Sequence, residues 1–257
     1  MAALLYVDAL GLKALWKEKG QQAVKGTLGR FREQIRIALL EAPPQAIIEG
    51  GVQSDAAAIL FEDTIEAIRV GINLYLSTFM RDVGLNHRSH RLWLRGVISA
   101  YPRSRADHPL ANPLARDLTF PGHSEIRVSL QSDGLFAAIS QEQAGFRGMR
   151  LLMDAALADD RVAHAFRMTL NGRPLYRERR LTHSQYPPRL RQWKDILWML
   201  SDDANEWVHR LEQMTRLLRR AGRNPEEFVQ AASTALVFTE ADAIVRDLAS
   251  PRPLRPP

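Results

Sequence analysis

Leu4-Leu5-Tyr6-Val7-Asp8-Ala9-Leu10-Gly11-Leu12-Lys13 begins as a short apolar run, closes on a carboxylate and then meets a small-residue turn. An apolar run bounded in this way reads as a buried strand entering a turn, which puts the first acid at a strand end. Downstream, Val24, Leu28, Phe31, Ile35 and Leu39 recur at helical spacing until Ala42-Pro43-Pro44, where proline cannot continue a helix. Two further apolar runs, 46–52 and 56–61, are separated only by Gln53-Ser54-Asp55, the pattern of a tight hairpin with the second acid at its turn. Asp63 is placed to cap a helix whose apolar face is Ile65, Ile68, Ile72, Leu76 and Phe79, and 92–100 is the next strand candidate.

The resulting order is β-α-β-β-α-β, ferredoxin-like in outline, an α/β (α+β) arrangement of a sheet with flanking helices. Residues 101–121 hold four prolines and predict an irregular excursion, with a short strand expected within 126–130. A helix over 135–145 and a strand over 150–153 follow. Beyond Asp154 the chain turns basic around the turn signal Asn171-Gly172, with Arg167, Arg173, Arg177, Arg179 and Arg180. Trp193, Ile196, Leu197, Leu200, Trp207, Leu211, Met214 and Leu218 then predict a long or broken amphipathic helix, and a further helix is expected over 225–235. The expected division is a core over 1–154, a basic hairpin and mainly helical extension over 155–250 packed on the core or a dimer partner, and a Pro-rich tail over 251–257.

The 257 residues, 46% of them hydrophobic, suffice for a large core and exclude wholesale disorder. With no cysteine there is neither a disulfide framework nor a thiolate metal site, so any metal is held by oxygen or imidazole. The start of the chain lacks the pattern of a secretory signal, and no stretch stays uncharged long enough to span a bilayer, so a cytoplasmic location is expected. A net charge of +6 suits an anionic ligand without choosing among nucleotide, nucleic acid and acidic lipid.

Asp8 and Asp55 are the pair that carries chemistry. Two carboxylates at adjacent points of a sheet supply the hard oxygen donors that divalent cations need for phosphoryl chemistry. Taken singly, each has an ordinary reading, Asp8 as a helix N-cap and Asp55 as a turn residue. Arg95 reads as a solvated charge on the outer face of its strand more readily than as a phosphate ligand. Arg150 and Glu142 read the same way, and His123, with no second ligand at metal spacing, reads as a loop residue. The run from Arg167 to Arg180 has few stacking residues and matches no nucleic-acid module, so no nucleic-acid partner is expected.

Residues 5–13 resemble the strand and turn of the class III nucleotidyl cyclases, Asp-Ile-x-Gly-Phe followed by Thr or Lys, with Leu12 standing where Phe is usual. Gln53-Ser54-Asp55 resembles their Gly-Asp or Ser-Asp hairpin, and 94–99, Leu-Arg-Gly-Val-Ile-Ser, is similar to their strand after the second helix. Within that family the likeness is closer to the pyrimidine (uridylate or cytidylate) cyclases of bacterial antiphage defence, the Pycsar systems. Ser54 replaces the glycine usual in purine cyclases, Gly51 lies about where adenylate cyclases carry a base-reading lysine, and 135–142 with 149–154 are similar to the Pycsar helix and strand. Ile139 and Met149 depart from that pattern.

The resemblance implies a class III cyclase sheet that converts UTP or CTP to a 3′,5′-cyclic monophosphate and pyrophosphate, as second-messenger synthesis in antiphage defence. It implies two divalent cations, Mn²⁺ or Mg²⁺, held by Asp8, Asp55 and the Ala9 carbonyl, with Leu10, Gly11 and Ser54 beside the triphosphate. It further implies a homodimer with active sites at the interface and a separate effector that responds to the cyclic nucleotide. Purine cyclisation and a catalytically inactive nucleotide sensor are the alternatives.

Overall fold

The computed structural model describes residues 1–84, 92–101, 118–120, 123–126, 149, 151–169, 176–177, 193–196, 198, 206, 209–210, 212–213 and 216–217. The first strand, β1 (Ala3–Leu10), leads into α1 (Leu12–Leu40), and a 3₁₀ turn at Pro44–Ala46 returns the chain to the hairpin β2 (Ile47–Gln53) and β3 (Ala56–Phe61). Next come α2 (Thr64–Gly84) and β4 (Trp93–Ala100). β2, β3, β1 and β4 lie side by side in that order with every neighbour antiparallel, the β-α-β-β-α-β arrangement expected from the sequence.

The sheet continues past this core. β7 (Leu151–Asp154) joins β4 in parallel, β9 (Trp193–Ile196) pairs antiparallel with β7, and the short β8 (Tyr176–Arg177) closes the edge. Two small strands, β5 (Leu118–Phe120) and β6 (His123–Ile126), form a separate hairpin slightly ahead of the strand expected within 126–130. α3 (Asp160–Thr169) lies between β7 and β8. The fold is α+β, a mixed sheet with flanking helices.

Each strand sorts its residues by the two-residue period of the pleat. Leu5, Val7, Ile59, Phe61, Leu94, Ile98, Leu151 and Met153 form one core with Phe31, Ile35, Leu39, Ile68, Tyr75 and Phe79 of the two long helices. Each fully buried side chain of this size stabilises the fold by about 1.5–3 kcal/mol before entropy is charged against it. Gly71 lets α2 lie close, since a Cβ there would meet Leu151 Cδ2 at 2.9 Å. Leu4, Tyr6, Ala58, Leu60 and Tyr101 gather on the opposite face.

Helix boundaries follow the expected chemistry. Asp63 caps α2, its carboxylate accepting from the Ile65 N–H at 3.2 Å, and it also pairs with Arg161 of α3 at 3.1 Å. α1 bends at Gly20, whose φ of 79° is non-helical and costs glycine least.

The helix expected to begin at Trp193 is overturned. Trp193 and Ile196 do not begin an amphipathic helix; they lie in β9, with Trp193 opposite Asp154 and Ile196 opposite Tyr176. A Trp-x-x-Ile spacing satisfies a helical stripe, yet hydrogen bonding to the exposed edge of β7 decides the conformation. Just beyond, Trp198 donates to the Met149 carbonyl at 3.3 Å and packs on Tyr75 at 5.3 Å, so this part of the chain shares the main core. Helical residues are described later, within 206–217. The helices expected over 135–145 and 225–235 and the turn at Asn171-Gly172 lie outside the described residues.

Candidate active site

Alternation along β1 sends Val7 and Ala9 to the helix side and leaves Asp8 on the opposite face with Tyr6. In the antiparallel register Asp8 lies across from Ala56 on β3 and from Arg95 on β4. Asp55 therefore immediately precedes a cross-strand neighbour of Asp8. The Ala9 N–H donates to the Asp55 carbonyl at 2.7 Å, which ties the hairpin turn to the end of β1. Strand order alone thus brings together two acids 47 positions apart in the chain.

Ser54 occupies the first position of the two-residue turn with φ of +55°, a left-handed conformation that a side chain resists. That strain costs about 1 kcal/mol. Ser54→Gly should therefore raise the unfolding free energy by about 1 kcal/mol, read from urea denaturation at unchanged m-value.

Charge in the site is unbalanced. Burial first, then the proximity of Asp55, pushes the Asp8 carboxyl up to about 6, against the opposing pull of Arg95 and a main-chain hydrogen bond. Arg95 Nη2 lies 3.7 Å from Asp8 Oδ2, both side chains being 16% exposed. Burial lowers the Arg95 pKa, and Asp8 opposes that shift. The Tyr6 phenol, on the same face, is pushed up to about 12 by burial and then by Asp8 and Asp55. Among the described residues, Arg95 pairs with Asp8 while Asp55 adds a second carboxylate beside it, an electrostatic environment suited to a cation.

Reading Arg95 as a solvated charge is therefore incorrect. Its strand position puts it opposite Asp8, where the carboxylate offsets part of the cost of burying the guanidinium. Tyr6 was not singled out from the sequence, although its place two residues before Asp8 puts it on the same face. Gly96 beside Arg95 is required by packing, because a Cβ there would meet the Tyr6 carbonyl at 2.9 Å, the Tyr75 hydroxyl at 3.0 Å and Val7 Cγ2 at 3.1 Å. Gly96→Ala should destabilise the fold by about 2 kcal/mol, as overpacking does, measurable as a lowered denaturation midpoint.

Other candidate positions surround this centre. Asp8 is not a helix cap: the cap residue of α1 is Gly11, at φ 83° and without a side-chain cap bond. Leu10 is half-buried opposite Trp93, while Gly11 and Ser54 are exposed. The left-handed turn at Gly11 leads directly into the first turn of α1, whose free amides carry partial positive charge. Gly51 is buried on β2 opposite Ala58 and offers no side chain to a ligand. His123 lies in β6. Glu142 and Arg150 lie outside the described residues.

Asp8 and Asp55 fit Mg²⁺ or Mn²⁺ in donor chemistry, being hard oxygen ligands in a site short of positive charge. Among the described residues no group of three or more His, Asp or Glu gathers.

No protein-family model matches the chain, and no curated protein matches it. Solved structures do overlap with it. The guanylyl cyclase Cya2 superposes with a TM-score of 0.46 at 13% identity, over 76% of this chain and 91% of that one. A bacterial light-regulated adenylyl cyclase gives 0.41 at 9% identity over 61% and 76% of the two chains, and an adenylate cyclase from Trypanosoma brucei gives 0.41 at 12% over 64% and 78%. Among the described residues no helix is long and apolar enough to cross a membrane.

Proposed function

We propose that this chain is a metal-dependent nucleotidyl cyclase acting on a pyrimidine nucleoside triphosphate, UTP or CTP. The observation that carries the reading is the meeting of Asp8 and Asp55 at a strand end and a hairpin turn, beside a left-handed turn that opens α1. These are the positions at which the two quoted motifs resemble those of class III cyclases. The pyrimidine preference rests on the Ser54 and Gly51 resemblances, and Gly51 presents no base-reading side chain.

In this reading the ribose 3′ oxygen attacks the α-phosphorus, the bond from that phosphorus to the bridging oxygen of the β-phosphate breaks, and pyrophosphate leaves while the hydroxyl proton passes to solvent. Asp8, Asp55 and the Ala9 carbonyl would hold two divalent cations, which when bound lower the pKa of the 3′ hydroxyl and neutralise phosphate charge. The carboxylates fix the position of that charge, and the sheet holds them so that little reorganisation accompanies reaction. The main chain at Leu10, Gly11 and Ser54 borders the triphosphate, where the amides opening α1 favour an anion.

The enzyme is further proposed to act as a homodimer with sites at the interface, in the cytoplasm, supplying its cyclic nucleotide to a separate effector in antiphage defence. Residues 155–250 are proposed to belong to the same catalytic unit, packed on the core or on the dimer partner. Incubation of the purified chain with each of ATP, GTP, CTP and UTP and Mn²⁺, with products resolved by mass, tests the base. Cyclic UMP or cyclic CMP is expected. A purine cyclic product would transfer the assignment to a purine cyclase, and bound but unconverted nucleotide would make the chain a sensor.

A further inference from the structure

Between α1 and α2 runs a buried polar seam that the catalytic reading does not use. Arg30 and Gln34 lie one turn apart on α1, and Thr78 and Asp82 lie one turn apart on α2. The helices pack antiparallel, as two pairings in the same sense show. Arg30 meets Asp82, the Asn73 amide donates to Glu41 further along, and Gln34 therefore falls level with Thr78. Gln34, Thr78 and Asp82 are 3%, 1% and 5% exposed.

Three polar atoms of this seam are sealed from solvent and have no hydrogen-bond partner in the protein: Arg30 Nη1, Gln34 Oε1 and Thr78 Oγ1. Arg30 Nη1 stands 3.6 Å from Asp82 Oδ1, too far for a direct hydrogen bond. The other Asp82 oxygen accepts the Leu92 N–H at 2.8 Å. Leaving a buried donor or acceptor unmet costs about 1–3 kcal/mol each, which a stable core rarely tolerates three times over in one place.

We propose that an internal water molecule is bound in this seam. The donors and acceptors match it. Water accepts from Arg30 Nη1, donates to Gln34 Oε1, and exchanges a hydrogen bond with Thr78 Oγ1, close to the three bonds that a buried water commonly makes. The bound water joins α1 to α2, and through Arg30 and its ion pair with Asp82 it is linked to Leu92 at the entry to β4, the strand that carries Arg95.

A crystal structure of the chain at better than about 2 Å, together with that of Thr78→Val, tests this, because valine keeps the shape of threonine and removes one partner. A well-ordered solvent peak within hydrogen-bond reach of Arg30 Nη1 and Thr78 Oγ1 is expected, weakened or lost in the variant. Denaturation supplies a second reading: Thr78→Val and Gln34→Leu should each lower the melting temperature, and the double variant should lose less than the two together. A dry seam, or a melting temperature that Thr78→Val leaves unchanged or raises, would overturn the proposal.

Discussion

Asp8→Asn should abolish turnover and stabilise the metal-free protein at the same time. A carboxyl displaced from its ordinary 3.8 to about 6 costs the folded state about 3 kcal/mol when ionised, and asparagine keeps the shape without the charge. In the presence of a chelator at pH 8 the variant should therefore melt roughly 8 °C above the parent. The sign follows from proton linkage. The folded protein binds this proton more tightly than the unfolded chain, so the contribution of this carboxyl to stability is fully present below about pH 4 and is lost as pH rises through about 6. The gap between parent and variant should accordingly close near pH 4 and be complete above pH 7. Activity should fall at least about 100-fold, the scale seen when one preorganised electrostatic contact is removed from an active site. An Asp8→Asn protein less stable than its parent at pH 8 would show that Arg95 already balances the carboxylate.

Asp82→Ala should lower stability by about 3 kcal/mol, or roughly 8 °C in Tm. Asp82 is buried, lies 3.6 Å from Arg30 and accepts the Leu92 N–H at 2.8 Å. Truncation leaves a half-buried guanidinium beside an apolar methyl and deprives a buried amide of its acceptor, two penalties that no rearrangement of the alanine can relieve. Asp82→Asn retains an oxygen for the amide while removing the charge, so it should cost less than the alanine variant. Equal losses in the two variants would mean that the charge of Asp82 contributes nothing.

Much of this was readable from local pattern. The run 4–7 ending on Asp8, the short interruption at Gln53-Ser54-Asp55 and the prolines at 43 and 44 mark elements through short-range sterics, and those effects act before any tertiary contact forms. The adjacency of Asp8 and Asp55 followed from the strand order that these elements imply. Arg95 was misread because its partner is set by register between β1 and β4, and only the paired strands show that its side chain shares a face with Asp8. Trp193 and Ile196 were misread because four residues fit either period and the choice belongs to the edge of β7. Arg30 and Gln34 were not singled out from the sequence, because it is the packing of α2 on α1 that encloses them.

The central claim, that Asp8 and Asp55 together serve cyclisation of a nucleoside triphosphate, is tested most directly by following α-³²P-labelled UTP and CTP with Mn²⁺. The parent should convert label to a cyclic monophosphate with one pyrophosphate released per turnover, and Asp8→Asn and Asp55→Asn should each abolish both products. Cyclic product that persists undiminished in both variants would contradict the account.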